Sequence, residues 1–178
     1  MLGVVKIIDQ TTEIIGRGIS YLLLLMMILT CVVVGMRYVF QSGNIIFTQE
    51  SVTYLHASVF LLGAGWTLKR KGHVRVDILY RKASIRAKAW IDAICVLIFL
   101  LPVSVFMFWI SLDYVGRSWS ILEVSSDAGG VPLVYLLKSL IPAMCVLLGL
   151  QGVAELIRNG IIICTNQSGA NTQTSTYD

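Results

Sequence analysis

The feature of this sequence that most limits how it can fold is a set of four long stretches without Asp, Glu, Lys or Arg. They are residues 18–36, 51–68, 93–112 and 139–154. An α-helix needs about 20 residues to cross about 30 Å of hydrocarbon, and three of the stretches are near that length. The fourth reaches it if Lys138 extends its ammonium group outward to the membrane surface. The pattern predicts an all-α integral membrane protein with four transmembrane helices.

A soluble core, β-strands and a signal peptide each account less well for these apolar stretches. Only 13% of the residues are charged, whereas soluble domains carry about 25%. The stretches are too long for strands and lack the alternation of a barrel wall. The first is also too long for the apolar region of a signal peptide, and Arg37-Tyr38-Val39-Phe40 follows it in place of a small-residue cleavage site. We therefore predict that it is retained.

The same pattern predicts the domain organisation. Residues 1–164 form one four-helix membrane domain, with spans at about 18–40, 48–68, 90–115 and 132–157. The segment 165–178 is rich in Asn, Gln, Ser and Thr and is predicted to be disordered. The four cysteines form no C-x-x-C pair and have no metal-ligand spacing. The sequence thus predicts no catalytic residue, no cofactor and no metal site.

Basic residues are concentrated between the second and third predicted helices. This loop holds eight of them against the single acid Asp77: Lys69, Arg70, Lys71, Arg75, Arg81, Lys82, Arg86 and Lys88. Short loops rich in Lys and Arg stay in the cytoplasm, so with four spans both termini are predicted to be cytoplasmic. Nucleic-acid binding is not predicted, because no recognition fold accompanies the basic run.

The order of residues inside this basic loop suggests a structural role. In an extended chain His73, Arg75 and Asp77 lie on one side, and in a helix His73 and Asp77 are one turn apart. A zinc site needs three or four ligands, and no others lie nearby in the sequence. We therefore predict a polar clasp that holds the loop against this protein or a partner.

Two segments have the pattern of helices at the membrane surface. Near the N terminus an apolar stripe (Leu2, Val5, Ile8 and Ile15) opposes a polar one (Lys6, Asp9, Gln10, Glu13 and Arg17). This segment is either an interfacial helix or an extension of helix one. A second interfacial helix is predicted after Asp77, with basic side chains toward anionic headgroups. The predicted membrane-surface anchors are Trp66, Arg81, Lys82, Arg86, Lys88 and Trp90.

Ionisable residues lie near the ends of the spans. Arg37 closes helix one and Glu50 opens helix two on the same side, which predicts an ion pair across the first hairpin. Local pairs are predicted at helical spacing, Asp113 with Arg117 and Glu155 with Arg158. Inside the spans, Pro102 and Pro142 are predicted to kink helices three and four.

Two features within the spans have open roles. Helix four carries the small residues Cys145, Gly149 and Gly152 on one stripe, which permits close packing either within the protein or against a partner. His56 lies about two turns into helix two. A histidine at that depth is a functional candidate, and a hydrogen bond between helices and a proton relay are both open.

Taken in order, these features resemble the small membrane subunit (DctQ-like) of tripartite ATP-independent periplasmic (TRAP) transporters. The resemblance covers roughly residues 5–158. It runs through Arg37-Tyr38-Val39-Phe40, Gln49-Glu50, Leu62-Gly63-Ala64 and Leu150-Gln151-Gly152. Its most specific part is Gly72-His73-Val74-Arg75-Val76-Asp77, after helix two.

The resemblance implies a division of labour. A large permease subunit carries the substrate and sodium sites, a periplasmic substrate-binding protein delivers an organic acid, and the small subunit stabilises the scaffold of the large one in the bacterial inner membrane. Residues expected to serve structure or the partner interface are Arg37, Glu50, His73, Arg75, Asp77, Gly149, Gln151 and Gly152.

Two alternative functions are open on the sequence, neither of them favoured. One is an unrelated four-helix accessory protein. The other is a membrane-embedded oxidoreductase subunit, but a haem held by two histidines needs both at matching depth, and only His56 lies inside a predicted span.

Overall fold

The computed structural model describes residues 2–39, 45–72 and 84–165. Its regular structure in these ranges is entirely helical. The helices are α1 (Leu2–Tyr38), α2 (Ile46–Lys69), α3 (Ile85–Ser120) and α4 (Val134–Cys164). Some sequence predictions lie outside the described residues: the His73–Arg75–Asp77 clasp, the second interfacial helix, the anchors Arg81 and Lys82, and the disordered tail, which is described only at Thr165.

Helix α1 runs without interruption through 37 residues. The amphipathic N-terminal segment is therefore the first part of α1 and not a separate interfacial helix, so the prediction of such a helix was wrong. No Pro lies in this segment to end a helix, and its polar side chains find partners on α2 and α4. The structure agrees with the other alternative, in which this segment is an extension of helix one.

Three helices in the described part of the chain are long and apolar enough to cross a membrane. They are Gly3–Tyr38, Ile85–Ser120 and Val134–Cys164. Helix α2 is not among them, and its uncharged stretch 51–68 contains His56 and several Ser, Thr and Gly residues. The all-helical membrane architecture is thus confirmed, and a fourth span on α2 stays a prediction.

Successive helices run in opposite directions. Lys69 at the end of α2 bonds to Glu13 near the start of α1, and Arg86 at the start of α3 donates to the carbonyl of Ile163 at the end of α4. Glu50 at the start of α2 bonds to Val131, just before α4. We call the end where α1 begins the proximal end and the other the distal end. Helix α2 packs against both α1 and α4, and α3 packs against α4.

Helix α3 changes its winding next to a proline. It is α-helical over Ile85–Cys95 and Leu101–Ser120, with a π-helical turn at Val96–Leu100. Pro102 follows this turn, lacks a backbone N–H, and its ring crowds the carbonyl four residues earlier. A widened turn there relieves the crowding. Helix α4 continues as one helix through Pro142.

The outer surface of the bundle is strongly apolar. Large side chains such as Tyr21 and Leu24 on α1 and Phe106 and Trp109 on α3 are more than half exposed. The buried positions include polar ones, such as Thr12, Ser118 and Gln151. An apolar exterior with polar contacts inside is the arrangement that suits a lipid solvent.

Candidate functional site

A polar cluster joins α1, α2 and α4 at the proximal end of the bundle. Arg158 of α4 donates to Asp9 of α1 at 2.5 Å and to Glu155, one turn earlier on α4, at 2.8 Å. Glu155 is buried, and the side chain of Arg158 as a whole is 31% exposed. The predicted Glu155–Arg158 pair is confirmed. Arg158 additionally places one positive charge between two carboxylates, which holds α1 against α4.

The side-chain amide of Gln151 extends this cluster into the bundle. Gln151 is completely buried. Its Nε2 donates to Asp9 at 3.3 Å. Its Oε1 lies 3.2 Å from the hydroxyl of Thr12, whose single proton is shared with the carbonyl of Ile8 at 2.9 Å. A buried amide with both ends engaged fixes the register of two helices. Within the described part of the chain, Gln151 therefore makes its side-chain contacts inside the protein, with Asp9 and Thr12 of α1.

Glu13 joins α1 to the end of α2. Its carboxylate accepts from Lys69 at 2.7 Å and from Arg70 at 2.9 Å, and Lys69 also donates to the carbonyl of Asp9 at 3.0 Å. Hydrogen bonds between ionised partners are the strong ones, so this carboxylate is a firm link between the two helices. Two residues predicted only to set topology thus also hold α1 and α2 together. We name Asp9, Thr12, Glu13, Lys69, Arg70, Gln151, Glu155 and Arg158 the proximal cluster.

Trp66 lies between helices and not simply at the membrane surface. Its indole ring packs directly on Gly16, where any Cβ would overlap it, and the guanidinium of Arg70 lies 5.4 Å from the ring centroid. The ring is half-buried, and its Nε1 has no hydrogen-bond partner among the described residues. Trp66 therefore contributes to the α1–α2 contact beside the proximal cluster.

Glu50 forms the corresponding cluster at the distal end. Its carboxylate accepts from the backbone N–H of Val131 at 2.6 Å and from the hydroxyl of Ser125. The hydroxyl of Tyr54 donates to the carbonyl of Val131 at 3.4 Å. These bonds fasten the segment that precedes α4 onto the start of α2.

The predicted Arg37–Glu50 ion pair is not formed. Arg37 is exposed at the end of α1, and the structure gives it no ion pair with a described residue. The Glu50 carboxylate accepts instead from a backbone amide and a hydroxyl of the segment before α4, which supply its hydrogen bonds without a cation. Every residue except proline has a backbone N–H, so the sequence cannot show which one binds Glu50. The sequence pattern therefore indicated only Arg37, the cation at the end of the preceding helix.

Two further ion pairs lie at the distal end. Arg117 donates to Asp113 at 2.7 Å, which confirms the local pair predicted there, and both side chains are largely exposed. Lys138 pairs with Glu123 and lies 4.2 Å from the ring centroid of Tyr114. The hydrogen bond from Lys138 lowers the pKa of the Glu123 carboxyl below its usual value. The ammonium group of Lys138, which was predicted to extend outward to the membrane surface, therefore binds Glu123 in the loop before α4.

The small-residue stripe of α4 is divided between two environments. Cys145 is buried, and Gly152 is buried against α3, where a Cβ would overlap Leu100. Around Gly149, by contrast, a Cβ would meet nothing within 4 Å. Of the two open roles, internal packing applies to Gly152, and Gly149 is free to contact another molecule.

The remaining candidates lie apart from these clusters. Arg86 caps the end of α4 through Ile163 at 3.2 Å, Lys88 is half-buried and Trp90 is 54% exposed. His56 is exposed on α2, with its ring 6.4 Å from that of Phe60. Within residues 2–39, 45–72 and 84–165 no group of three or more His, Cys, Asp or Glu side chains is placed to hold a metal ion.

Sequence reasoning missed Asp9, Thr12 and Lys69 as structural residues. The available signal was the spacing of Asp9, Thr12 and Glu13, which places three polar groups on adjacent positions of one helical face. Their partners on α2 and α4 are 56 or more positions away in the sequence. The polar face of α1 could be recognised in the sequence, but the residues of α2 and α4 that it contacts could not.

The apolar helices and the polar clusters at their ends define a multi-pass helical membrane protein. Residues 26–159 match the family described as "Tripartite ATP-independent periplasmic transporters, DctQ component". This match covers well over half of the chain, so the protein belongs to the DctQ family of transporter components. No curated protein and no solved structure matches the chain.

Proposed function

We propose that the protein is the small permease subunit of a TRAP transporter, a secondary system driven by a sodium gradient, for an organic acid. It binds the scaffold of the large permease subunit and stabilises it in the membrane, while the substrate site lies in the large subunit. The observation that carries this proposal is the family match over residues 26–159. A periplasmic substrate-binding protein is the third component.

The way the chain uses its charged groups supports a structural role. Asp9, Glu13, Glu123 and Glu155 each bond to a cation of the same chain near one end of the bundle. Substrate and ion pathways usually place ionisable groups deep in the bilayer and leave them accessible. Carboxylates that are engaged in ion pairs fit a subunit that supports transport without conducting it.

The orientation is also part of the proposal. Four spans, with α2 as the second, would put both termini in the cytoplasm of a bacterial inner-membrane protein, with the basic loop on the same side. The alternation of helix direction in the bundle is compatible with this topology. His73, Arg75 and Asp77 would then form a clasp at the cytoplasmic surface.

Affinity purification of the tagged chain in mild detergent, followed by mass spectrometry, tests the proposal. The expected result is a much larger polytopic membrane protein in equal amount. Deleting the chain should abolish uptake while the periplasmic protein still binds substrate. A chain recovered alone would contradict the proposal, and a coloured cofactor on it would return the oxidoreductase alternative. Normal uptake without the chain would contradict an obligatory role.

A further inference from the structure

Helix α2 carries a line of polar side chains on its outer face. Gln49, Thr53 and His56 are all exposed and follow one another at steps of four and three residues. Phe60, which is 71% exposed, continues the line four residues later. Residues at such steps share one face of a helix. We name Gln49, Thr53, His56 and Phe60 the α2 stripe.

The α2 stripe extends into the region that the neighbouring apolar helices cover. Trp66 packs on Gly16 and Lys69 binds Glu13, so α1 and α2 run antiparallel with one register. If the same antiparallel register is followed along both helices, His56 of α2 lies at the same height as Met26 of α1. Met26 is inside the uncharged stretch 18–36. Along α2 itself, His56 lies about 15 Å from Ile46 at 1.5 Å per residue. It is therefore well inside the bundle length and not at its end.

Among the described residues, His56 has no polar partner at this depth. Its ring faces that of Phe60, and the structure gives it no hydrogen bond or ion pair within the described part of the chain. A neutral imidazole has one N–H to donate and one nitrogen that accepts. Exposing such a group to hydrocarbon is costly. A polar group from another molecule facing His56 removes that cost.

A cavity borders the distal part of the α2 stripe. It has a volume of about 350 Å³ and lies between α2 and the start of α4, with Gln49, Glu50, Thr53 and Asp127 among the residues that line it. The lining is mixed, because Ile46, Val134 and Leu137 also border the cavity, and its polar part suits a side chain that brings a hydrogen-bonding group. The cavity and the α2 stripe share Gln49 and Thr53, so they form one continuous surface.

The outer face of α3 provides a contrast. Val103, Phe106 and Trp109 are 57%, 62% and 76% exposed, and they are apolar or aromatic. Lipid tails satisfy such a face without any partner. Helix α2 also falls short of the composition of a membrane-crossing helix, whereas Ile85–Ser120 meets it. Of the two faces, that of α2 is the one that requires protein.

Resting on the proposed function, we propose that the α2 stripe is the surface on which the large permease subunit docks. The occupant is a membrane-crossing helix that presents a hydrogen-bonding side chain level with His56. Hydrogen bonds between membrane helices contribute to association, and the cavity beside Gln49 and Thr53 accepts a polar group from the same helix. The face of α3 is left to lipid.

Photo-crosslinking in native membranes tests this assignment. A photoreactive phenylalanine analogue is placed at Thr53 or His56, and at Phe106 or Trp109 as controls, with the tagged chain co-expressed with the large subunit. We expect a crosslinked product of the combined mass from the α2 positions and none from the α3 positions. The unmodified complex is purified in parallel.

Substitutions supply a second measurement. His56→Leu should lower the yield of co-purified large subunit by about three- to tenfold, equivalent to ~0.6–1.4 kcal/mol. His56→Gln keeps a donor and an acceptor and should retain most of that yield. Phe106→Leu, at an exposed position of α3, is the control and should leave the yield unchanged. Gel filtration of each purified chain verifies that it is folded.

The outcomes separate the docking surface from the function. If the large subunit co-purifies but crosslinks only from α3, or if the α2 positions capture only lipid, the docking surface is wrong and the proposed function stands. A product of twice the mass of this chain from the α2 positions would assign the α2 stripe to a second copy and overturn the proposal. If no large subunit co-purifies, the proposed function fails and this inference fails with it.

Discussion

Arg158 and Asp9 connect the beginning of the described chain to its end. Their side chains are 2.5 Å apart although 149 positions separate them, and Arg158 also binds Glu155 at 2.8 Å. Because Gln151 and Thr12 bond within the same group, this contact fixes how α1 lies on α4. The first helix is thus held to the last by polar bonds at the proximal end.

Replacing Arg158 with Leu should destabilise the isolated protein. The change leaves Asp9 and the buried Glu155 without their shared cation, and we expect a loss of about 2–3 kcal/mol, somewhat below the 3–5 kcal/mol typical of a fully buried pair. Thermal unfolding of the purified protein in detergent measures it.

The matched control is Arg117→Leu, since Arg117 also binds a carboxylate at short distance but is 81% exposed. It should change stability by less than about 0.5 kcal/mol. Equal effects of the two substitutions would show that burial does not decide the strength of these pairs.

Gln151→Leu should lower stability although the new side chain is of similar size. The substitution removes one acceptor and one donor from a fully buried position and leaves Asp9 with one bond fewer. We expect a loss of about 1–2 kcal/mol.

Combining Gln151→Leu with Thr12→Val should cost less than the sum of the two single changes, because both partners of one contact are removed together. Additive losses would contradict a direct bond between these side chains.

Glu50→Ala should loosen the segment that precedes α4. It removes the acceptor of the Val131 N–H and of the Ser125 hydroxyl, and we expect faster proteolysis of residues 121–133 together with a loss of about 1–3 kcal/mol. Arg37→Ala should have an effect within about 0.5 kcal/mol, since Arg37 is exposed and does not bind Glu50. A comparable loss from both substitutions would restore the ion pair that the sequence suggested.

The residues that could be predicted differ from those that could not in a physical way. Segregated charges predict long helices because hydrocarbon excludes charge over a fixed length, and the pairs Asp113–Arg117 and Glu155–Arg158 follow from the pitch of a helix. Both kinds of signal are local in the sequence.

Contacts between helices carry no such local signal. Glu50 binds a backbone amide of Val131, and Asp9 binds Arg158 across nearly the whole chain. The helical pitch places Gly149 and Gly152 on similar faces, yet which of them meets α3 depends on how α4 is rotated. Which residues make contact between helices depends on how each helix is rotated and packed. The pattern of a single sequence specifies neither the rotation nor the packing.

The two glycines of α4 provide a test of that rotation with the same substitution on the same helix. Gly152→Val should destabilise the purified chain by about 1–3 kcal/mol, because its side chain would overlap Leu100 in the π-helical turn of α3. Gly149→Val should change stability by less than about 0.5 kcal/mol, since a side chain there meets open space. Thermal unfolding in detergent compares them. If Gly149→Val were the more damaging in the isolated chain, α4 would be rotated away from the arrangement described, and Gly152 would be the position left for another molecule.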